Sequence, residues 1–361
     1  MLPPRPPSPD LAPFAQRLLA WFDQHGRHDL PWQTDRNAYR VWISEIMLQQ
    51  TQVTTVIPYF ERFMASFPDV LALAAAPIDE VLHHWSGLGY YARARNLHKA
   101  ACVIVAEHDG VCPDDHEVWE SLPGVGRSTA AAIVAQAFGQ RQAILDGNVK
   151  RVLARYHGVR GWPGQRKTEL ALWEHAWSHT PEARLCDYTQ AIMDLGATLC
   201  ARSKPKCADC PVRGDCVALA EGSQAELPER KPKKDKPVRT TTMLLVRSAD
   251  GELLLQQRPP SGIWGGLWSL PELGPEEDAA QWCRDELGLE VSLGAQRPVM
   301  RHTFSHFHLD ITPVAVDVTL DASSAVEDAA RVWYNPSAPA ALGLAAPVSK
   351  LIDQISQRET S

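Results

Sequence analysis

"LPGVGRSTAAAI", residues 122–133, places Gly124 and Gly126 on either side of Val125, directly before an alanine-rich run. Glycine opens backbone conformations closed to other residues and lets backbone N–H groups come close to a ligand. A helix beginning here adds the positive end of its dipole, so the stretch suits an anion such as a phosphate. The simpler reading is a turn between two helices, because a lone GxG is common. Working outward, "ILDGNVKRV" (144–152) puts Asp146 at a loop–helix junction. A carboxylate there either caps the helix or faces a ligand.

Further on, "CARSKPKCADCPVRGDC" (200–216) holds Cys200, Cys207, Cys210 and Cys216, half of the chain's eight cysteines, spaced C-x6-C-x2-C-x5-C. In a reducing compartment such clusters bind metal more often than they form disulfides. Zinc sites usually show two C-x2-C pairs or mix Cys with His, whereas one C-x2-C stands here. Spacing leaves zinc and an iron–sulfur cluster both open. Arg202, Lys204, Lys206 and Arg213 make the loop basic, which suits DNA phosphate. Cys102, Cys112, Cys186 and Cys283 are scattered and read as buried small apolar residues.

The surroundings are helical. "DLAPFAQRLLAWFDQH" has apolar residues at three- and four-residue spacing behind a candidate cap, Asp10, and "YRVWISEIMLQQTQV", "ARARNLHKAACVIVAEH" and "LCDYTQAIMDLGATLC" read alike. Roughly ten helices are expected. "ELPERKPKKDKPVR" (226–239), with three prolines and six basic residues, reads as a linker. Beyond it the period changes. "TTTMLLVRSADGELLLQQR" predicts two strands around "SADG", "EEDAAQWCRDELG" a helix and "HFHLDITPVAVDVTL" a further strand-rich stretch. The fold class expected is multidomain: an all-α part at 1–225 and a smaller α+β part at 240–361.

With 361 residues the chain is long enough for two or three domains. The start, "MLPPRPPSPD", has no apolar signal region and no run is long enough to span a membrane, so a cytoplasmic protein is expected. The net charge of -7 argues at first against nucleic acid, but it is unevenly spread. From Thr240 onward there are 8 Lys+Arg and 16 Asp+Glu; the totals of 36 and 43 leave 28 and 27 before it. The first part is balanced and can carry a basic face.

Together, the GVG hairpin, the aspartate about twenty residues on and the cysteine loop resemble the endonuclease III superfamily of DNA glycosylases. Within it, "VWISEIMLQQTQV" (41–53), "GLGYYARARNL" (87–97), "LPGVGRSTAAAI" and "LDGNVKRV" resemble adenine DNA glycosylases of the MutY type, densely over 15–216 and again at "RHTFSHFHLDI" (301–311). The resemblance implies a helix-hairpin-helix domain whose four cysteines hold a 4Fe-4S cluster. It also implies excision of adenine mispaired with 8-oxoguanine or guanine in double-stranded DNA, by a monomer in a bacterial cytoplasm, associated with the nucleoid.

By resemblance, Glu45 is the general acid that protonates adenine, Asp146 the carboxylate that steadies the positively charged sugar, and Asn148 a neighbour of the sugar and the attacking water. The chemistry fits, because leaving the base needs a proton and the sugar needs a fixed negative charge. Burial in an apolar helix would raise the Glu45 pKa, and helix N–H groups would keep Asp146 ionised. Bifunctional relatives carry a Schiff-base lysine where this chain has Ser128, so base removal without strand cleavage is expected. Some adenine glycosylases have tyrosine there, and the chain departs from them. Gln50, Thr51, Leu88 and Tyr90 match residues that wedge the duplex or contact the opposite oxidised guanine. Gly124, Val125 and Gly126 form the phosphate-gripping hairpin, and Trp32 and Gln190 match the adenine pocket.

The C-terminal part resembles a Nudix fold. "GLWSLPELGPEEDAAQWCRDELGL" keeps Gly266, Glu272 and Gly288, but Gln281 and Trp282 stand where a catalytic box carries Arg and Glu. Pyrophosphate hydrolysis is therefore not expected. Recognition of 8-oxoguanine is, through Ser305 and His306 in "TFSHFH". Competing readings are an endonuclease III-like glycosylase/lyase, disfavoured by Ser128; a non-catalytic damage-binding protein, disfavoured by Glu45 and Asp146 together; and a Nudix hydrolase.

Overall fold

A computed structural model describes residues 13–231, 235–274, 277–319 and 330–359. The Pro-rich start with Asp10 and positions 232–234 of the linker stretch lie outside them. The chain divides into two compact units, one of Met1–Ala75 and Asn96–Pro232, the other of Ala76–Arg95 and Lys233–Ser361.

Before residue 232 the described helices are α1 (Phe14–His25), α2 (Ala38–Leu48), α3 (Val53–Ser66), α4 (Val70–Ala75), α5 (Ile78–His84), α6 (Ala92–Glu107), α7 (His116–Ser121), α8 (Arg127–Phe138), α9 (Gly147–His157), α10 (Arg166–His179), α11 (Leu185–Asp194) and α12 (Val217–Glu221). Their ends follow local chemistry. The Asn37 side chain accepts from the Arg40 N–H at 3.0 Å to start α2, and Asp115 accepts from Val118 at 2.9 Å to start α7. The helix α9 stops at Gly158, whose φ of +65° is the left-handed conformation that glycine takes without strain. Pro13 precedes α1 and gives no side-chain cap. In the first unit Phe14, Leu18 and Phe22 of α1 pack with Val152 and Leu153 of α9 and with Tyr188 and Ile192 of α11. Past α11 the chain makes one π-helical turn, Leu195–Leu199, and delivers Cys200.

The second unit holds an eight-stranded sheet: β1 (Val238–Arg247), β2 (Leu253–Gln257), β3 (Trp268–Ser269), β4 (Glu272–Leu273), β5 (Val291–Gln296), β6 (Met300–Thr303), β7 (His308–Val318) and β8 (Arg331–Tyr334), with α13 (Ala279–Leu287) and α14 (Ala346–Glu359). The expected hairpin is there: β1 and β2 run antiparallel around the turn, with Arg247 opposite Leu253. The expected helix is α13, capped by Asp278 and closed by Gly288 at φ +65°. The strand β1 begins at Val238, inside the stretch read as linker, and lies parallel to β7 from Val238↔His308 to Arg247↔Asp317. The core of this unit joins Leu244, Val246, Leu254, Leu273 and Val316 of the sheet with Cys283 and Leu287 of α13.

The segment Ala76–Arg95 belongs to the second unit through specific contacts. The Gln257 amide donates to Asp79 at 3.3 Å, the Tyr91 hydroxyl to the Leu344 carbonyl at 3.3 Å and Arg95 Nη1 to the Gly265 carbonyl at 2.5 Å. The Gly343 backbone lies so close to Leu82 that an added Cβ would meet its Cβ at 2.7 Å. One expectation about cysteines fails. Of the four scattered ones only Cys283 is buried; Cys102 is exposed, and Cys112 and Cys186 are half-buried. Cys102 sits in α6 at an exposed position, and the Arg36 guanidinium contacts the Cys186 sulfur.

Candidate active site

Glu45 lies in α2, two turns after the Asn37 cap. One carboxylate oxygen, Oε1, accepts from the Gln136 amide at 3.2 Å, and Gln136 is 6% exposed in α8. Burial, and then the charge of Asp146, push the Glu45 pKa up to about 7, while the Gln136 hydrogen bond pulls it down. Sequence reasoning missed Gln136. The signal was a single polar residue in the otherwise apolar run "AAAIVAQAF".

Asp146 is the N-cap of α9. Its Oδ1 accepts from the Val149 N–H at 2.8 Å and its Oδ2 from the Asn148 amide at 3.2 Å. The expectation that helix N–H groups keep it ionised meets a competing effect. Burial raises its pKa and outweighs the Val149 and Asn148 N–H groups and the Arg151 charge that lower it. The pair still divides its protons unequally. Asp146 has two backbone donors, an amide donor and a nearby guanidinium; Glu45 has one amide and the negative charge of Asp146. The balance of donors therefore favours the proton on Glu45 over Asp146.

Around this pair the chain is tightly tied. The Ser128 hydroxyl accepts from the Leu145 N–H at 2.9 Å, which pins the residue before Asp146 to the first turn of α8. An amine nucleophile is absent at 128, and the hydroxyl that replaces it is occupied. Asn148 Oδ1 accepts from Arg151 Nη2 at 2.8 Å, and Arg151 Nε donates to the Cys200 carbonyl at 2.7 Å. A hydrogen-bonded path thus runs from Asp146 to the cysteine loop. Gly196 gives Asn148 its room, since a Cβ there would meet the Asn148 Cβ at 2.6 Å.

In the hairpin, Gly124 has φ +77° and a Cβ on it would strike Asn96 at 2.7 Å, so glycine is required twice over. Val125 is buried, and a Cβ on Gly126, the N-cap of α8, would meet open space. The amide end of α8 is therefore open to an anion. Trp32 is buried edge-on against Phe60 at 5.5 Å. Gln190 is also buried, and its amide donates at 2.8 Å to Asp194, which Arg27 pairs with. Gln50, exposed at φ +58°, and Thr51 follow the end of α2.

In the second unit, Gly87 (φ +98°) and Gly89 (φ +71°) frame Leu88, and of the two wedge candidates Leu88 is packed at 6% exposure while Tyr90 is presented at 54%. Ser305 and His306 form the exposed turn between β6 and β7, with Ser305 Oγ 3.3 Å from His306 Nδ1. Phe304 and Phe307 stack at 4.5 Å beneath that turn. Glu272 is ion-paired with Arg258.

The four loop cysteines line one cavity with Leu195, Leu199 and Val212. Among the described residues no three His, Cys, Asp or Glu side chains are grouped as a site for a single ion. A centre of several metal atoms holds its thiolates further apart than one ion does, and four sulfurs around a shared cavity suit it. Cys210 has its pKa pushed up to about 11 by burial and the other three thiols, so thiolates here need a cationic centre among them. Arg155, buried in α9, ties the loop by donating to the carbonyls of Ala201 at 2.8 Å, Arg202 at 3.2 Å and Leu227 at 2.8 Å. Arg202, Lys204, Lys206 and Arg213 are all exposed around it.

The chain is similar to known proteins in both units. The model of the HhH-GPD superfamily of base excision DNA repair proteins matches residues 43–176, and that of the NUDIX domain matches 242–354. The adenine DNA glycosylase of Buchnera aphidicola subsp. Acyrthosiphon pisum is 37% identical over 340 residues, covering 94% of this chain and 97% of that protein. Human adenine DNA glycosylase is 36% identical over 362 residues, covering 83% of this chain and 66% of the human protein. Among solved structures, a thermostable thymine-DNA glycosylase matches at TM-score 0.53 and 30% identity over 58% of this chain and 95% of its own. An endonuclease III–DNA complex shares the fold, at TM-score 0.50 and 23% identity over 58% of this chain and 94% of its own. With carboxylates, hairpin and cysteine loop in one unit and a Nudix domain in the other, the chain belongs to the adenine DNA glycosylase family, base-excision repair enzymes that hydrolyse N-glycosidic bonds.

Proposed function

We propose that the protein excises adenine opposite 8-oxoguanine or guanine in duplex DNA, without cutting the strand. The observation that carries this is the unequal hydrogen bonding of Glu45 and Asp146, beside a residue 128 that offers a hydroxyl instead of an amine. Glu45 gives its proton to a ring nitrogen of adenine, and the bond between sugar and base breaks with its electron pair leaving on the base. Asp146, as carboxylate, steadies the positive charge on the sugar. Water adds to the sugar carbon and loses a proton, which leaves free adenine and an abasic site. Asn148, held between Asp146 and Arg151, is placed to orient that water. With no amine at 128, no imine forms and the strand stays intact.

Gln50, Thr51 and Tyr90 are assigned to the gap left by the flipped base, and Ser305 and His306 to the oxidised guanine. Cys200, Cys207, Cys210 and Cys216 are assigned to a 4Fe-4S cluster. Hydrolysis moves no electron, and the cluster supplies a cationic centre that shapes the basic loop. Residues 1–225 act as catalytic domain and 240–361 as recognition domain, in a monomer that works on cytoplasmic DNA.

Single-turnover cleavage of two labelled duplexes, A opposite 8-oxoguanine and A opposite G, with and without later alkali, tests this. Breaks only after alkali, formed faster with the oxidised guanine, are expected. Breaks without alkali would refute the monofunctional reading, and equal rates would remove the recognition role of Ser305 and His306. Protein purified without oxygen should be brown, with iron and sulfide in equal amounts; stoichiometric zinc without iron would refute the cluster.

A further inference from the structure

Gln136 is the feature of the site that the family motifs do not account for. It follows Ala130, Ala131, Ala132, Ile133, Val134 and Ala135, all buried, and is itself 6% exposed. Burying an amide among apolar side chains is unfavourable unless its polar atoms are bonded. Its Nε2 donates to Glu45 Oε1 at 3.2 Å, across from α8 to α2. A carboxyl oxygen that accepts an N–H keeps its lone pair turned to that donor, so the acidic proton sits on the other oxygen. The charged group that acts on Glu45 besides this amide is Asp146.

We propose that Gln136 is a positioning residue for adenine excision: by holding Glu45 at Oε1, it makes Oε2 the oxygen that carries and delivers the proton. The inference rests on the reading of Glu45 as the acid. Gln136 has a second effect through the same bond. An N–H donor favours the ionised carboxyl, so it limits how far burial can raise the Glu45 pKa. The residue therefore fixes the direction of the acid and trims its strength together.

The test is the pH dependence of single-turnover adenine excision by the full-length protein, its Glu45→Gln variant and its Gln136→Leu variant. With Gln136→Leu the rate at the plateau should fall by about tenfold, because the carboxyl is free to turn. The alkaline limb should move up by roughly half a unit to one unit, the effect of losing one hydrogen bond to the carboxylate. A merely structural role would lower the rate and leave the limb where it was. A limb that stays put, or moves down because Gln136 accepts instead of donating, overturns the inference. If Glu45→Gln keeps the parent rate, the reading of Glu45 fails, and Gln136 with it; if Glu45→Gln is inactive and the Gln136→Leu limb is unmoved, only the inference fails. Should Gln136→Leu not fold, Gln136→Met, of similar volume and without an amide, makes the same comparison. Carbon-13 titration of the Glu45 carboxyl reads the same shift without activity.

Discussion

Glu45 and Asp146 carry the same functional group in different surroundings, and the surroundings set their tasks. With the Glu45 pKa at about 7, the acid form falls away above that pH, so excision should drop nearly tenfold per unit above it, while acid should lower it again as the buried Asp146 carboxylate takes up a proton. Glu45→Gln and Asp146→Asn should each lower single-turnover excision by at least about 100-fold while duplex binding, read by gel shift, persists. Glu45→Gln should also raise the melting temperature. A carboxyl whose pKa is raised on folding favours the fold below its ordinary value of 4.5, and that contribution is lost as pH rises through about 7. The melting gain should therefore be largest above pH 7 and vanish near pH 4; a gain independent of pH would contradict it. Ser128→Ala leaves the Leu145 N–H without its acceptor, which costs about 1–3 kcal/mol and loosens Asp146, so excision should fall with stability. Glu45, Ser128 and Asp146 were legible because the motifs put them in the chain. Gln136 was not, because its role depends on α8 packing against α2, which no local pattern states.

At the scale of elements, α9 and α10 bring three histidines together. His157 Nε2 lies 2.8 Å from His179 Nε2, and the His157 and His175 rings stack at 3.6 Å. Burial, and then the neighbouring imidazoles, hold His157 down to about 3 and His179 down to about 4. One nitrogen donates to the other while both rings are neutral, and protonating the accepting nitrogen sets two N–H groups against each other. The unfolded chain takes up these protons near 6.5, the folded one far lower. Stability is thus complete above pH 6.5 and is lost as pH falls below it. Urea midpoints between pH 7 and 5 should show a decline that His157→Phe makes shallower; an unchanged slope would refute it. Arg155 matters for the cysteine loop in the same way that a keystone matters for an arch. Arg155→Met should cost on the order of 3 kcal/mol and remove hydrogen-exchange protection across 200–216. The sequence announced the four cysteines but gave no sign of the arginine that holds their loop, since its partners are backbone carbonyls. Of the caps, Asp146 was readable at its loop–helix junction, whereas Asn37, Asp115 and Asp278 were identified only by the structure.

For the whole molecule, the two units were visible as a change of period, from helical spacing to strand alternation. Membership of Ala76–Arg95 in the second unit was not visible, because "IDEVLHHWSGL" looks like any other amphipathic helix of the first. The parallel pairing of β1 with β7 joins segments about seventy residues apart and was equally silent. A chain ended at residue 232 should lose hydrogen-exchange protection across 76–95, where Asp79, Leu82, Tyr91 and Arg95 lose their partners; retained protection would contradict the contacts described. The same arrangement bears on biosynthesis. Ala76–Arg95 leaves the ribosome long before the sheet that receives it has been translated, a wait on the order of ten seconds or more at bacterial or slower rates of elongation. During that interval Leu82 has no Gly343 to lie against. Folding of the second unit cannot proceed from first residue to last, and the nascent chain carries an amphipathic helix whose partners in that unit are translated long after it.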